Sequence, residues 1–181
     1  VDPGGDADKI LGLLKQLNLS VVAIIHTHAH LDHILAAGEI KQATGAPIYL
    51  HKGDQFLWDM VEQQCEMFGV PKVSLPQPDQ YLNDDQALDC CGGVAIHTPG
   101  HTPGSVSFWF DEYKTLIAGD TLFQGSIGRT DLPGGNFEEI KKSISQRLYS
   151  LDDEAVVITG HGPSTSIGYE KQSNNFVRGS I

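Results

Sequence analysis

The chain has 181 residues, 40% of them hydrophobic, which suits one compact domain with a sizeable core. Its formal charge of −11 would repel nucleic acid and anionic membrane surfaces, so neither is expected as a partner. No apolar run approaches the roughly 18 residues of a membrane-spanning helix.

Residues 1–5 (Val-Asp-Pro-Gly-Gly) read as the end of a strand and a turn. From Asp6, a candidate N-cap, the spacing of Ile10, Leu13, Leu14 and Leu17 predicts an amphipathic core helix. Residues 20–25 (Ser-Val-Val-Ala-Ile-Ile) are uncharged and mostly β-branched, and they predict a buried strand. Directly after it comes Thr27-His28-Ala29-His30-Leu31-Asp32-His33, which puts three imidazoles and a carboxylate within six residues. A polar loop at a strand end can bend so that His28 and His30 face one point while Asp32 and His33 face another close by. Neutral imidazole and carboxylate together suit zinc, iron or manganese.

Residues 34–44 read as a helix stopped by Gly45, so that Asp32 lies near its positive end. A short strand follows at 47–50. Residues 54–68 predict one helix with Phe56, Leu57, Met60, Val61 and Cys65 recurring on a face, and the proline-rich 71–79 predicts a surface loop. Strands at 94–97 and 106–110 flank His101 in Thr98-Pro99-Gly100-His101-Thr102-Pro103-Gly104-Ser105, with a turn at 111–114. The run 115–118 precedes Gly119-Asp120-Thr121, and 155–158 precedes Gly160-His161-Gly162-Pro163. A helix over 137–148 places Ile140, Ile144 and Leu148 on one side. Strands and helices alternate, which is an α/β reading. Four strand ends would then present seven nitrogen or oxygen ligands, several beside a glycine that lets the backbone come close to an ion.

Not every titratable group needs a role. His26 reads as a core histidine, and His51 and His97 as structural or exposed. Cys65, Cys90 and Cys91 are an odd number, adjacent cysteines rarely form a relaxed disulfide, and none falls in a metal motif. All three read as small buried or half-buried side chains in a reducing compartment, with a cytoplasmic location as the default.

The order HxHxDH, GHTPGS, GDT, GHGP resembles the metallo-β-lactamase-fold hydrolases over nearly the whole chain. Residues 123–135 (Phe-Gln-Gly-Ser-Ile-Gly-Arg-Thr-Asp-Leu-Pro-Gly-Gly) and the ending Ile167-Gly168-Tyr169-Glu170 are similar to the small bacterial glyoxalase II-like hydroxyacylglutathione hydrolases. The resemblance implies a four-layer αβ/βα sandwich in a single domain over 1–181. It also implies opening strands that residues 1–5 would follow, so the chain is expected to lack an N-terminal segment of a longer protein. It further implies that His28, His30 and His101 hold one divalent metal, that Asp32, His33 and His161 hold a second, and that Asp120 bridges them, zinc being the first choice of metal. Asp2 matches an aspartate that braces the histidine loop, although an Asx-turn role before Pro3 reads equally well. A zinc β-lactamase would normally differ at the positions of His33 and Asp120, and the RNA-processing branches carry added domains.

The chemistry implied is hydrolysis of an S-acylglutathione thioester such as lactoylglutathione. A hydroxide bridging the two metals would attack, Asp32 and Asp120 would position it, and no serine or cysteine nucleophile would be needed. Arg129 is the best cation for a substrate carboxylate, its competing reading being a salt-bridged surface arginine. Phe123 and Tyr169 are candidate pocket walls. The protein would act as a monomer on a small-molecule thioester. Two alternatives remain: a mononuclear-iron persulfide dioxygenase of the same fold, and a truncated metal-binding scaffold with little activity.

Overall fold

Hydrophobic burial divides this chain at Leu82, and each side carries its own sheet, helices and core. The structure, a computed structural model, describes residues 1–179. Its two compact units span Val1–Leu82 and Asn83–Ile181.

In the first unit the order is α1 (Ala7–Gln16), β1 (Ile24–Ile25), α2 (Leu31–Ile34), α3 (Ala37–Thr44), β2 (Ile48–His51), a 3-10 turn (Lys52–Asp54), α4 (Gln55–Asp59), α5 (Val61–Phe68) and β3 (Gln80–Leu82). The three strands pair in parallel in the order β1-β2-β3. Ile24, Ile48 and Leu50 pack with Ile34, Ile40, Leu57, Trp58, Val61 and Cys65 as the core.

Several expected elements are shorter here than their sequence pattern suggests. The strand expected over 20–25 pairs only at Ile24–Ile25, and Val22 is exposed. The helix expected at 34–44 is two pieces, because Leu35 and Ala36 separate α2 from α3, and Asp32 and His33 sit inside α2 rather than before a helix. The helix expected at 54–68 breaks at Met60, and both Met60 and Phe56 point outward. Helix α1 is not the core helix expected. It buries Ala7 and packs Ile10, whereas Leu13 and Leu17 are each 54% exposed. Asp6 occupies the N-cap position without capping, since its positive φ of 52° turns the side chain to Lys9.

The second unit runs β4 (Gln86–Leu88), β5 (Gly93–His97), β6 (Val106–Phe110), β7 (Thr115–Gly119), β8 (Leu122–Phe123), β9 (Ser126–Ile127), α6 (Phe137–Lys142), β10 (Val156–Thr159), β11 (Thr165–Ser166) and α7 (Ile167–Ser173). Its mixed sheet has the order β11-β10-β7-β6-β5-β4, antiparallel except where β7 and β10 run parallel, and β8 and β9 form a separate hairpin. Leu116, Ala118 and Val157 point to one face and meet Ile140, Ile144, Leu148 and Ile167. The helix expected over 137–148 begins on the side chain of Asn136, which accepts from the amides of Glu138 and Glu139. It widens to a π-helix at Ser143–Arg147 and tightens to a 3-10 turn at Leu148–Ser150 while keeping Ile140, Ile144 and Leu148 fully buried. No helix among the described residues is long and apolar enough to cross a membrane.

Candidate metal centre

In the first unit, parallel pairing ends with the His26 amide donating to the Tyr49 carbonyl, and the chain then leaves the sheet as the expected histidine loop. Three side chains fasten it, two of them buried and the third, Asp2, partly so. Asp54 Oδ2 accepts from the Ala29 amide at 3.0 Å. Gln64 reaches from α5 with both ends of its amide, Oε1 accepting from the Leu31 amide at 2.9 Å and Nε2 donating to the Ala29 carbonyl at 3.1 Å. Gln64 Nε2 also donates to the Leu57 carbonyl, so every polar function of this side chain is used on backbone. The third is Asp2, whose Oδ1 and Oδ2 accept from the amide and hydroxyl of Thr27, both at 2.7 Å, while Oδ2 lies 3.1 Å from His33 Nδ1. Asp2 therefore braces the loop. Burial opposes its ionisation, but His33 and Thr27 together hold its carboxyl below the usual carboxylate range.

These contacts orient the imidazoles. His33 presents Nε2 toward Asp32 Oδ2 at 3.7 Å because its other nitrogen faces Asp2. His28 has Nδ1 beside the Thr27 hydroxyl at 3.0 Å. The rings of His28 and His33 have centroids 4.0 Å apart, and those of His28 and His30 4.9 Å. Donor atoms within the pairs His28/His30, His28/His33 and Asp32/His33 lie within 4.8 Å of each other. Ligands on one ion at bonds of about 2.1 Å stand about 3–4 Å apart, so these donors fit metal coordination with small adjustments. His26 is the expected core histidine: fully buried, edge-on to Trp58, with Nδ1 3.1 Å from the His33 carbonyl. Burial brings its pKa down to about 4, so it is neutral at pH 7.

In the second unit the donors come from three separate strand ends. Asp120 follows β7 and His161 follows β10, as expected, and one oxygen, Asp120 Oδ2, lies 3.7 Å from His101 Nε2 and 3.5 Å from His161 Nε2. At these distances the Asp120 oxygen can share an ion with either imidazole, and the two imidazoles come from different loops. His101 is turned this way because its Nδ1 lies 2.8 Å from the Arg129 carbonyl. Such an outer hydrogen bond fixes which ring nitrogen is offered to an ion. The approach is so close that two positions admit only glycine. A Cβ on Gly160 would fall 2.0 Å from Asp120 Oδ1, and one on Gly128 would fall 1.8 Å from the Asp120 carbonyl oxygen. His161 itself is exposed, and the Phe123 ring centroid lies 6.3 Å from its own.

Arg129 is placed differently from its expected use. Its guanidinium holds both oxygens of Asp131, each at 2.7 Å, and keeps that carboxyl at a pKa of about 2. Its backbone, not its side chain, supports His101. Tyr169 is exposed. His51 Nδ1 accepts from the Gly53 amide and His97 Nε2 lies 2.9 Å from the Pro103 carbonyl, so both are structural. Cys65 is buried, but Cys90 and Cys91 are exposed, contrary to the expectation for all three, because they sit on a hairpin tip with no core to enter.

Residues 1–161 match the family described as the metallo-beta-lactamase superfamily. The chain belongs to this superfamily of metallo-hydrolases. The superfamily's α/β fold is thus the fold expected from the motifs. Over 181 residues the chain is 40% identical to hydroxyacylglutathione hydrolase GloC of Haemophilus influenzae, covering 98% of this chain and 85% of that protein. Among solved structures it resembles TTHA1623 in a di-iron-bound form, with a TM-score of 0.92, 38% identity, and 97% and 87% of the two chains covered. It also resembles the BLEG-1 B3 metallo-beta-lactamase, with a TM-score of 0.90, 37% identity and coverage of 97% and 86%.

Three residues, Asp54, Gln64 and Glu170, support the site in roles that the sequence does not show, although Glu170 stands in the ending that carries the resemblance. Glu170 is fully buried on α7 and accepts from the Gly125 amide, the Thr165 hydroxyl and the Asn174 amide, which ties the β8–β9 hairpin after Asp120 to the helix. A signal for Gln64 did exist. Gln64 directly precedes Cys65 and stands one turn after Val61 on the buried side of α5, a polar residue where the pattern calls for a core one.

Proposed function

We propose that the protein hydrolyses S-acylglutathione thioesters, lactoylglutathione first among them, as a two-metal enzyme. On this reading His28, His30 and His101 hold one divalent cation, Asp32, His33 and His161 hold the other, and Asp120 is shared. The observation that carries the two-metal reading is the single oxygen of Asp120 facing both His101 and His161. The di-iron form of TTHA1623 supports the number of ions, and zinc, iron and manganese all suit this nitrogen and oxygen donor set. When bound, such a pair lowers the pKa of water toward about 7 and polarises the carbonyl under attack.

The chain's own residues do the rest. Asp120 and Asp32 would orient the attacking water by accepting hydrogen bonds from it, and the outer contacts from Asp2, Thr27 and the Arg129 carbonyl keep the imidazoles in one tautomer. A thiolate is a good leaving group, so no general acid is required at the sulfur, which suits a site whose donors are all committed to metal. The 40% identity to a hydroxyacylglutathione hydrolase supports the glutathione thioester as substrate class. Arg129 would serve the substrate carboxylate by exchanging its Asp131 partner, an exposed pair that is inexpensive to open. The cytoplasm, where glutathione thioesters arise, is the compartment this reading implies.

The test offers the purified protein lactoylglutathione, glutathione persulfide and a chromogenic β-lactam in parallel, reading thiol release, oxygen uptake and ring opening. Thiol release with two metal ions per chain is the expected result. Oxygen uptake alone with one iron per chain would transfer the assignment to persulfide oxidation, and ring opening alone to β-lactam hydrolysis, as the likeness to BLEG-1 would suggest. Arg129→Ala should raise KM several-fold with kcat little changed if the guanidinium meets a remote carboxylate.

A further inference from the structure

Cys90 and Cys91 lie between β4 and β5, at the opposite end of β5 from the His101 loop. Both are exposed, and their Sγ atoms are 3.5 Å apart. The turn that carries them is ordered by its backbone: the amides of Cys91 and Gly92 both donate to the Leu88 carbonyl at 3.0 Å, and Gly92 leaves the turn with a φ of 70°. Neighbouring Cα atoms are about 3.8 Å apart, below the roughly 4.4 Å at which relaxed disulfides begin, so an S–S bond between these two residues would be strained. Chelation imposes no such strain. Two thiolates on one thiophilic centre, with bonds of about 2.3 Å at a near-tetrahedral angle, stand about 3.7 Å apart, close to the separation already present.

The number of donors selects the ligand. Zinc at a structural site takes four protein ligands, and this tip offers two sulfurs. A trivalent organic arsenical, with one arsenic–carbon bond already in place, needs only two thiolates to complete its coordination. We infer that Cys90 and Cys91 form a dithiol site for trivalent organic arsenicals, separate from the histidine and aspartate centre. In the binding step two As–S bonds form and two As–OH bonds break. Each thiol proton leaves with one hydroxyl as water, and arsenic remains trivalent throughout. Burial and the contact with Cys91 raise the Cys90 thiol above its ordinary pKa, so at neutral pH the arsenical displaces a proton rather than meeting a preformed thiolate.

The experiment titrates the full chain with phenylarsine oxide and counts the thiols that remain reactive toward a chromogenic disulfide. One equivalent should protect Cys90 and Cys91 and leave unchanged the slow reaction of Cys65, which is fully buried. Cys90→Ser and Cys91→Ser should each weaken binding by about 100-fold or more, because the second As–S bond is closed at the high effective concentration of an adjacent thiol. Cys65→Ser should bind as the parent does. Circular dichroism of both serine variants would show that the fold is retained. The inference is overturned if either single variant binds as tightly as the parent, or if the arsenical protects fewer than two thiols per chain.

Discussion

The two units solve the same problem, holding polar donors at fixed directions, by different means. In the first, four donors stand within one short loop and α2, and side chains from elsewhere, Asp2, Asp54 and Gln64, take hold of its backbone. In the second, each donor rides on its own strand end, and the fit depends on missing atoms, since Gly128 and Gly160 let the backbone come against Asp120. A loop dense in ligands has no room for internal support and must be clamped from outside. Dispersed ligands are carried by the sheet, and what they need is clearance. The first arrangement should therefore be vulnerable to loss of a hydrogen-bonding function, and the second to addition of a methyl group.

The largest effect should follow from the residue on which the second arrangement converges. Asp120→Ala removes the oxygen shared by His101 and His161, and on the proposed reading it should cost at least about 100-fold in thioester hydrolysis and lower the metal content toward one ion per chain. Full activity with two metals retained would end the bridging role. Gly160→Ala tests clearance alone, because no donor is removed. Its Cβ would stand 2.0 Å from Asp120 Oδ1, so the carboxylate must turn away, and metal affinity should fall by about 10–100-fold in a competition with a chelating dye. Parental affinity would show that the loop yields more easily than the close packing implies.

Gln64→Glu breaks the first arrangement in the opposite way. The side chain keeps its shape and can still accept from the Leu31 amide, but it can no longer donate to the carbonyls of Ala29 and Leu57. Two buried acceptors lose their partner and a carboxylate is desolvated, so denaturant unfolding should show a loss of about 2–4 kcal/mol. If the variant were as stable as the parent, the loop would be held by Asp2 and Asp54 alone.

What could be read from sequence follows the same division. The seven candidate donors were legible because they stand in short motifs next to β-branched runs, and the strands at β5, β6, β7 and β10 appear where expected, within a residue or two. The supports were not legible, since Gln64 reaches the Leu31 amide and Glu170 the Gly125 amide across 33 and 45 positions, and nothing local marks a buried glutamine or glutamate as satisfied. The regularity of helices was overestimated for a related reason. Apolar spacing continues through Leu35, Met60 and Ser143, but the backbone breaks or widens there as tertiary packing takes over from periodicity. Arg129 shows the limit most clearly. Its motif was recognised, but which part of the residue matters became visible only when its carbonyl was found against His101 and its guanidinium against Asp131.

The smallest effect should come from a charge that supports the second unit's sheet away from its donors. Asp84 accepts from the His97 amide at 2.8 Å and from both terminal nitrogens of Arg147, at 2.7 and 3.0 Å, which joins the start of β4 to the helix ending at Ser150. The Arg147 hydrogen bonds hold its carboxyl below the ordinary value of 3.8, against a smaller opposing effect of burial. A carboxyl whose folded pKa is depressed contributes stability in full above its unfolded pKa, and that contribution is lost as pH falls through the lower, folded value. Asp84→Asn keeps one acceptor for the His97 amide, and removes the charge together with the second acceptor that Arg147 uses. Because the pair is partly exposed and screened, the loss at pH 7 should be about 0.5–1 kcal/mol. The gap between parent and variant should close as pH is lowered below about 4 and should narrow in high salt. Urea unfolding at pH 7 and pH 3 measures both arms. A gap that persists undiminished at the acid end would mean that the second acceptor for Arg147, and not the charge, is what the sheet requires.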